Sequence, residues 1–272
     1  MPLGLLILVA ASQGQTEFLP VSSSGHLVLI PLVTNYAYQG QTIDVAAHVG
    51  TLLAVLVYLR AEVLTIVTAL ISLGRHDKAN ALLGMMLVLA TIPVIIAGYL
   101  VNYASISLLD LTVTLAISNL VFAALLWRSD RTPTRHHTIQ TVGWRQAIII
   151  GLAQVFALIP GTSRSGVTMT AARFLGFDRI VAARFSLLLS LPVIAGAGLL
   201  KTRDLLEAGN IAVGLDAVLV LVLSAGMAFA AIRWMMGWLA KAGFGIFVLY
   251  RLCLGGGLLL LLLFAQISPT IS

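Results

Sequence analysis

Two short polar segments carry most of the side chains in this sequence that could do chemistry. The first is Gln13–His26, QGQTEFLPVSSSGH, with a carboxylate at Glu17, a helix break at Pro20, hydroxyls at Ser22, Ser23 and Ser24, and an imidazole at His26. The second is Pro160–Thr170, PGTSRSGVTMT, with hydroxyls at Ser163, Ser165 and Thr168 and a guanidinium at Arg164. Gly161 and Gly166 allow the backbone to approach a ligand closely there. A helix beginning at this second segment offers free N–H groups to an anion, and the arginine fork matches a phosphate. Together the segments hold a nucleophile (Ser23 or His26), an acid or base (His26 or Glu17) and an oxyanion clamp (Arg164 with backbone N–H groups). Those are the parts that phosphoryl transfer requires: positioning, charge neutralisation and proton management.

The same residues admit a plainer reading, in which Arg164 forms an internal salt bridge to Glu17 and the serines satisfy one another. The two readings coexist if that pair closes the site when no ligand is bound. Glu17 imposes a condition, because an ionised carboxylate repels a phosphate. It must be protonated, paired with Arg164, or bridged to the phosphate by a divalent cation. A diphosphate carries more negative charge than one arginine balances, so a cation, Mg²⁺ or Ca²⁺, is expected with Glu17 as its protein ligand. Gln13, Ser22, Ser163, Ser165 and Thr168 are the expected substrate-binding residues around Glu17, Ser23, His26 and Arg164.

The elements that position these segments are made of apolar sequence. Of 272 residues, 60% are hydrophobic and only 10% charged, with a mean hydropathy of +1.04. Such a chain is not a soluble globular domain. Several apolar runs approach the roughly 20 residues needed to span a bilayer, which predicts an all-α polytopic membrane protein. The net charge of +6 then marks cytoplasmic loops rather than nucleic-acid binding. Cys253 is the single cysteine, which excludes an internal disulfide and a cysteine metal site; it reads as a small core residue. The N-terminal stretch lacks the basic flank of a signal peptide and reads as mature sequence.

In hydrocarbon an irregular polar segment must be buried in protein or line an aqueous cavity. Each polar segment here is flanked by apolar arms too short to span, which predicts a re-entrant helical hairpin at residues 2–33 and another at 147–177. Three spans follow each hairpin: Val45–Leu59, Leu82–Val101 and Leu109–Trp127, then Ala182–Leu200, Leu215–Trp234 and Ile246–Ala265. Val63–Leu73 reads as an interfacial helix. Arg128–Arg145, with His136 and His137, reads as a solvated loop and not a metal site. The chain thus divides into two repeats, 1–128 and 144–266. In each, a glutamine lies six or seven residues before a proline, and a Ser/Thr/Gly cluster follows. Three is odd, so the second repeat enters from the opposite face, giving an inverted-topology repeat with its functional residues near the midplane. Lysine and arginine place the loops Arg60–Lys78, Arg128–Arg145, Arg173–Arg184 and Arg233–Lys241 in the cytoplasm.

At the two polar segments the sequence resembles the undecaprenyl-diphosphate phosphatase family, the integral membrane enzymes that confer bacitracin resistance. The family's first signature is an acidic residue or Gln, three residues, Glu, then FLPVSSxGH; it stands here as Gln13, Glu17 and FLPVSSSGH ending at His26. The second, PGxSRSxxT, stands as Pro160 to Thr168. The resemblance implies hydrolysis of a polyprenyl diphosphate to the monophosphate carrier, recycled for peptidoglycan synthesis, in the bacterial inner membrane with the site open to the periplasmic side. It assigns the functional residues to Glu17, Ser23, His26, Ser163, Arg164 and Thr168. Gln13 departs from many members, where Glu is common; His48 stands where some members are expected to have Gln, and it reads as a packed core residue. The expected partners are the lipid substrate and membrane lipids. A homodimer is compatible with the sequence, and nucleic acid is excluded. A lipid-phosphate flippase of the same architecture is the main rival, and a non-catalytic assembly factor a distant one.

Overall fold

The computed structural model describes residues 1–34, 36, 38–103, 111–207 and 214–267. Among these the chain forms eleven α-helices and no strand: α1 (Leu3–Thr16), α2 (Ser23–Val33), α3 (Gln41–Tyr58), α4 (Arg60–Ile71), α5 (Lys78–Tyr103), α6 (Leu111–Asp130), α7 (Trp144–Val155), α8 (Arg164–Phe174), α9 (Arg179–Glu207), α10 (Leu215–Leu239) and α11 (Gly245–Ile267). Six of them, α3, α5, α6, α9, α10 and α11, are long and apolar enough to cross a bilayer. They coincide with the six expected spans, and the protein is an all-α polytopic membrane protein. Large apolar side chains on these helices, such as Leu53, Val57, Ile95, Val222 and Leu261, point outward, as they must where the surrounding solvent is lipid.

The two polar segments interrupt pairs of short helices. Helices α1 and α2 pack on each other across the first, and α7 and α8 across the second. Around them α1 packs on α10 and α7 packs on α5; α3 meets both α9 and α10, α6 meets α11, and α8 sits against α6, α7 and α9. Small residues let these backbones close up, as is usual where lipid supplies no hydrophobic drive between helices. Gly14 in α1 leaves no room for a Cβ, which would stand 2.9 Å from the Ser224 carbonyl of α10. Gly50 in α3 presses on the Leu221 carbonyl of α10, and Gly151 in α7 presses on Ala90 of α5.

Three details differ from the sequence expectation. Helix α9 continues to Glu207, beyond the expected end at Leu200, because Lys201, Arg203 and Glu207 favour helix as well as any apolar residue. Composition marks where a span leaves hydrocarbon, not where the helix stops. The Arg128–Arg145 connection is not simply solvated. Ile139 and Val142 are buried, the N–H groups of Arg135 and His136 bond the Gly176 carbonyl, and His136 lies against Phe177. Arg173 of α8 donates to the carbonyls of Asp130, Thr132 and Phe177, which clamps this loop onto α8. Cys253, expected in the core, is exposed on α11. The expected loop at Asn102–Ser107 and most of the 201–214 connection's far end lie outside the described residues.

Candidate functional site

Both helices that open at a polar segment start in the same unusual way. Ser22 (φ 76°, ψ 93°) caps α2, its Oγ accepting from the Gly25 N–H at 3.4 Å. Ser163 (φ 69°, ψ 114°) caps α8, its Oγ accepting from the Gly166 N–H at 3.1 Å. Only one other non-glycine among the described residues, Leu73, has a positive φ. Such a conformation costs on the order of 1 kcal/mol, and each serine recovers part of that through its cap. Gly161 (φ 89°) shapes the second turn, and a side chain there would collide with Ser118 and Leu115 of α6.

Glu17 is the hub. Its Oε2 accepts from Gln13 Nε2 at 2.8 Å and from Ser23 Oγ at 2.6 Å, and its Oε1 accepts from Arg164 Nη2 at 3.2 Å. The carboxylate is 7% exposed and the guanidinium 12%. The two segments, 147 positions apart, thus meet through a buried ion pair. A second link runs from Ser165 Oγ to the Leu19 carbonyl at 2.8 Å. Two buried atoms beside the pair have no hydrogen-bond partner among the described residues: the acceptor Gln13 Oε1 and the donor Arg164 Nη1. Buried polar atoms are normally paired, so these orphans point to something that arrives from outside. One is fit for a cation or proton donor, the other for an anion.

The remaining expected residues are spent otherwise. Thr168 is buried, bonding the Arg164 and Ser165 carbonyls and Ser186 of α9; it holds α8 in place. Ser163 Oγ lies 3.1 Å from Ser165 Oγ. His26 turns away from the ion pair. Its Nδ1 donates to the Ser22 carbonyl at 2.6 Å, which leaves Nε2 as an acceptor, and Tyr250 of α11 donates to it. The two rings stack with centroids 5.6 Å apart.

Sequence reading passed over Arg251, yet it joins both segments. It is fully buried in α11 and donates to Gly161 O at 3.0 Å, Pro20 O at 3.3 Å, Asn119 O at 3.4 Å and Ser118 O at 3.5 Å. No carboxylate pairs with it among the described residues. The signal was available: a lone arginine inside an apolar span is a functional hypothesis by default.

The ion pair faces a cavity of about 190 Å³ lined by Glu17, Arg164, Val45 and His48 of α3, and Val193, Ile194, Ala197 and Gly198 of α9. One end is therefore ionic, His48 adds an imidazole, and the rest is apolar. Among the described residues no three His, Cys, Asp or Glu side chains cluster to form a metal site. A hard cation still suits the donor set, since Glu17, Gln13 Oε1 and Ser23 Oγ all present oxygen and Gln13 Oε1 is unpaired.

Fold and site define a polytopic helical membrane protein with a buried carboxylate–guanidinium–serine centre opening on an apolar cavity. The chain belongs to the bacitracin resistance protein BacA family, whose pattern it matches over residues 6–257. It is 46% identical over 266 residues to an undecaprenyl-diphosphatase of Maricaulis maris, covering 95% of this chain and 98% of the relative. It is 44% identical to one of Alteromonas mediterranea, covering 95% and 98%, and 45% identical to one of Alcanivorax borkumensis, covering 93% and 96%.

Proposed function

We propose that this chain hydrolyses undecaprenyl diphosphate to the monophosphate and orthophosphate. The observation that carries the chemistry is the Glu17–Arg164–Ser23 centre with its two orphaned atoms. The diphosphate enters the cavity with its lipid tail along Val193–Ala197 and toward the bilayer. Arg164 turns its free Nη1, with the first N–H groups of α8, to the phosphate oxygens. Ser23 is the nucleophile: its Oγ attacks the terminal phosphorus and its proton passes to Glu17, to which it is already hydrogen-bonded. The bond from that phosphorus to the bridging oxygen breaks, and the polyprenyl monophosphate leaves. Water then attacks the phosphoserine and releases orthophosphate, with a proton returning to Ser23. His26 is not hydrogen-bonded to Ser23 in this arrangement, both its nitrogens being engaged elsewhere.

A divalent cation, Mg²⁺ or Ca²⁺, would be held by Glu17 and Gln13 Oε1. It would neutralise the diphosphate charge that Arg164 alone leaves unbalanced.

The two interrupted helix pairs are read as re-entrant hairpins of an inverted repeat, 1–128 and 144–266. The matching Ser22 and Ser163 caps support this reading, as do the packing of α1 on α10 and of α7 on α5. The arginine-rich loops support an orientation with the first hairpin opening to the periplasm, and a lipid-carrier substrate fits the bacterial inner membrane. The deciding experiment is orthophosphate release from polyprenyl diphosphate by the purified protein in detergent, with and without chelator. Release that chelator suppresses is expected. A flippase would release none, and that result would overturn the reading.

A further inference from the structure

The imidazole that shares the cavity with Glu17 and Arg164 is not His26 but His48. It projects from the middle of α3, and its Nδ1 donates to the Asp44 carbonyl one turn back at 2.8 Å. That bond fixes both the ring orientation and the tautomer, since a carbonyl can only accept. Nε2 is left over, and it has no hydrogen-bond partner among the described residues. The wall opposite, Val193 to Gly198 of α9, is apolar and offers none. The Asp44 carboxylate is already held by Tyr38 and Gln39, each at 2.6 Å, so it does not compete for the ring. A histidine packed only for bulk has no reason to be anchored by one nitrogen and bare at the other on the rim of a charged cavity.

We propose that His48 contacts the substrate directly, its Nε2 sharing one proton with a phosphate oxygen of the diphosphate while Nδ1 stays anchored to α3. The proposal rests on the phosphatase reading. It assigns the headgroup three protein contacts from three elements: Arg164 from α8, Ser23 from α2 and His48 from α3. It also gives a chemical reason for a polar residue at a position otherwise surrounded by Val45, Val49 and Ala47.

The test uses purified full-length protein and compares His48→Leu, His48→Gln and wild type by orthophosphate release from polyprenyl diphosphate. Leucine keeps the bulk and removes the polar contact; glutamine restores an N–H at similar reach. His48→Leu is expected to lower kcat/KM by about tenfold or more, mainly through KM, as loss of a hydrogen bond to a charged group does. His48→Gln is expected to recover most of that loss. Thermal unfolding of all three proteins separates binding from folding. If His48→Leu matches wild type, or if both variants lose activity only in proportion to lost stability, the contact is refuted. If wild type itself releases no orthophosphate, it is the phosphatase reading that fails.

Discussion

The two polar turns are built on one backbone plan and carry opposite chemistry. Each helix that leaves them opens with Ser-X-Ser-Gly in the same left-handed cap, Ser22 to Gly25 and Ser163 to Gly166. In each, a buried glutamine stands nine positions before the cap, Gln13 and Gln154. At the equivalent places, however, Ser23 faces Arg164, Glu17 faces Leu158, and His26 faces Val167. In the proposed mechanism the first turn supplies the nucleophile and the carboxylate, and the second supplies the positive charge. A shared scaffold has been divided into an attacking half and a clamping half, and the ion pair is where they join.

Five substitutions would break or sharpen that comparison. The largest effect belongs to the attacking half. Ser23→Ala should lower turnover by at least about 10³-fold, as loss of an activated nucleophile does. Failure to trap a phosphorylated serine in wild type, together with residual activity in the variant, would count against it. Arg164→Ala should cost at least about 10²-fold in turnover, the usual loss when a preorganised charge donor is removed; near wild-type rate would remove the clamp assignment. Arg251→Met should act on both halves at once. Four hydrogen bonds from one guanidinium disappear, and a loss on the order of 3 kcal/mol is expected in reversible unfolding, where hydrogen bonds to charged groups contribute about 1.5–3 kcal/mol. The smallest effects are those of the caps. Ser22→Ala and Ser163→Ala should each destabilise by about 1 kcal/mol, and similar values for the two would support the shared plan.

Much of this was legible in the sequence because the polar turns stand out against apolar surroundings. Glu17, Ser23 and Arg164 could be named, and the structure joins them by hydrogen bonds. Composition located all six spans for the same reason. What escaped reading did so where one residue acts alone. Arg251 lies in a run that counts as a span whether or not it contains an arginine, and only coordinates show that its carbonyl partners belong to both turns. His48 sits on a helix where a packed residue and a cavity residue have the same sequence neighbours. His26 belongs to the recognised signature, yet the rotamer that sends it to Tyr250 depends on α11, more than two hundred positions away. The serine and threonine hydroxyls read as substrate contacts were equally able to cap, and Ser22 and Ser163 do so.

The grip of Arg251 has a mechanical consequence. A carrier that exposes its load alternately to the two sides of a bilayer must let its halves rock. One guanidinium holding Pro20 on one side and Gly161 on the other acts as a rivet between the two turns. Any tilt of one turn against the other would strip a buried cation of its acceptors. Movement of one turn against the other therefore requires Arg251 to exchange its acceptors.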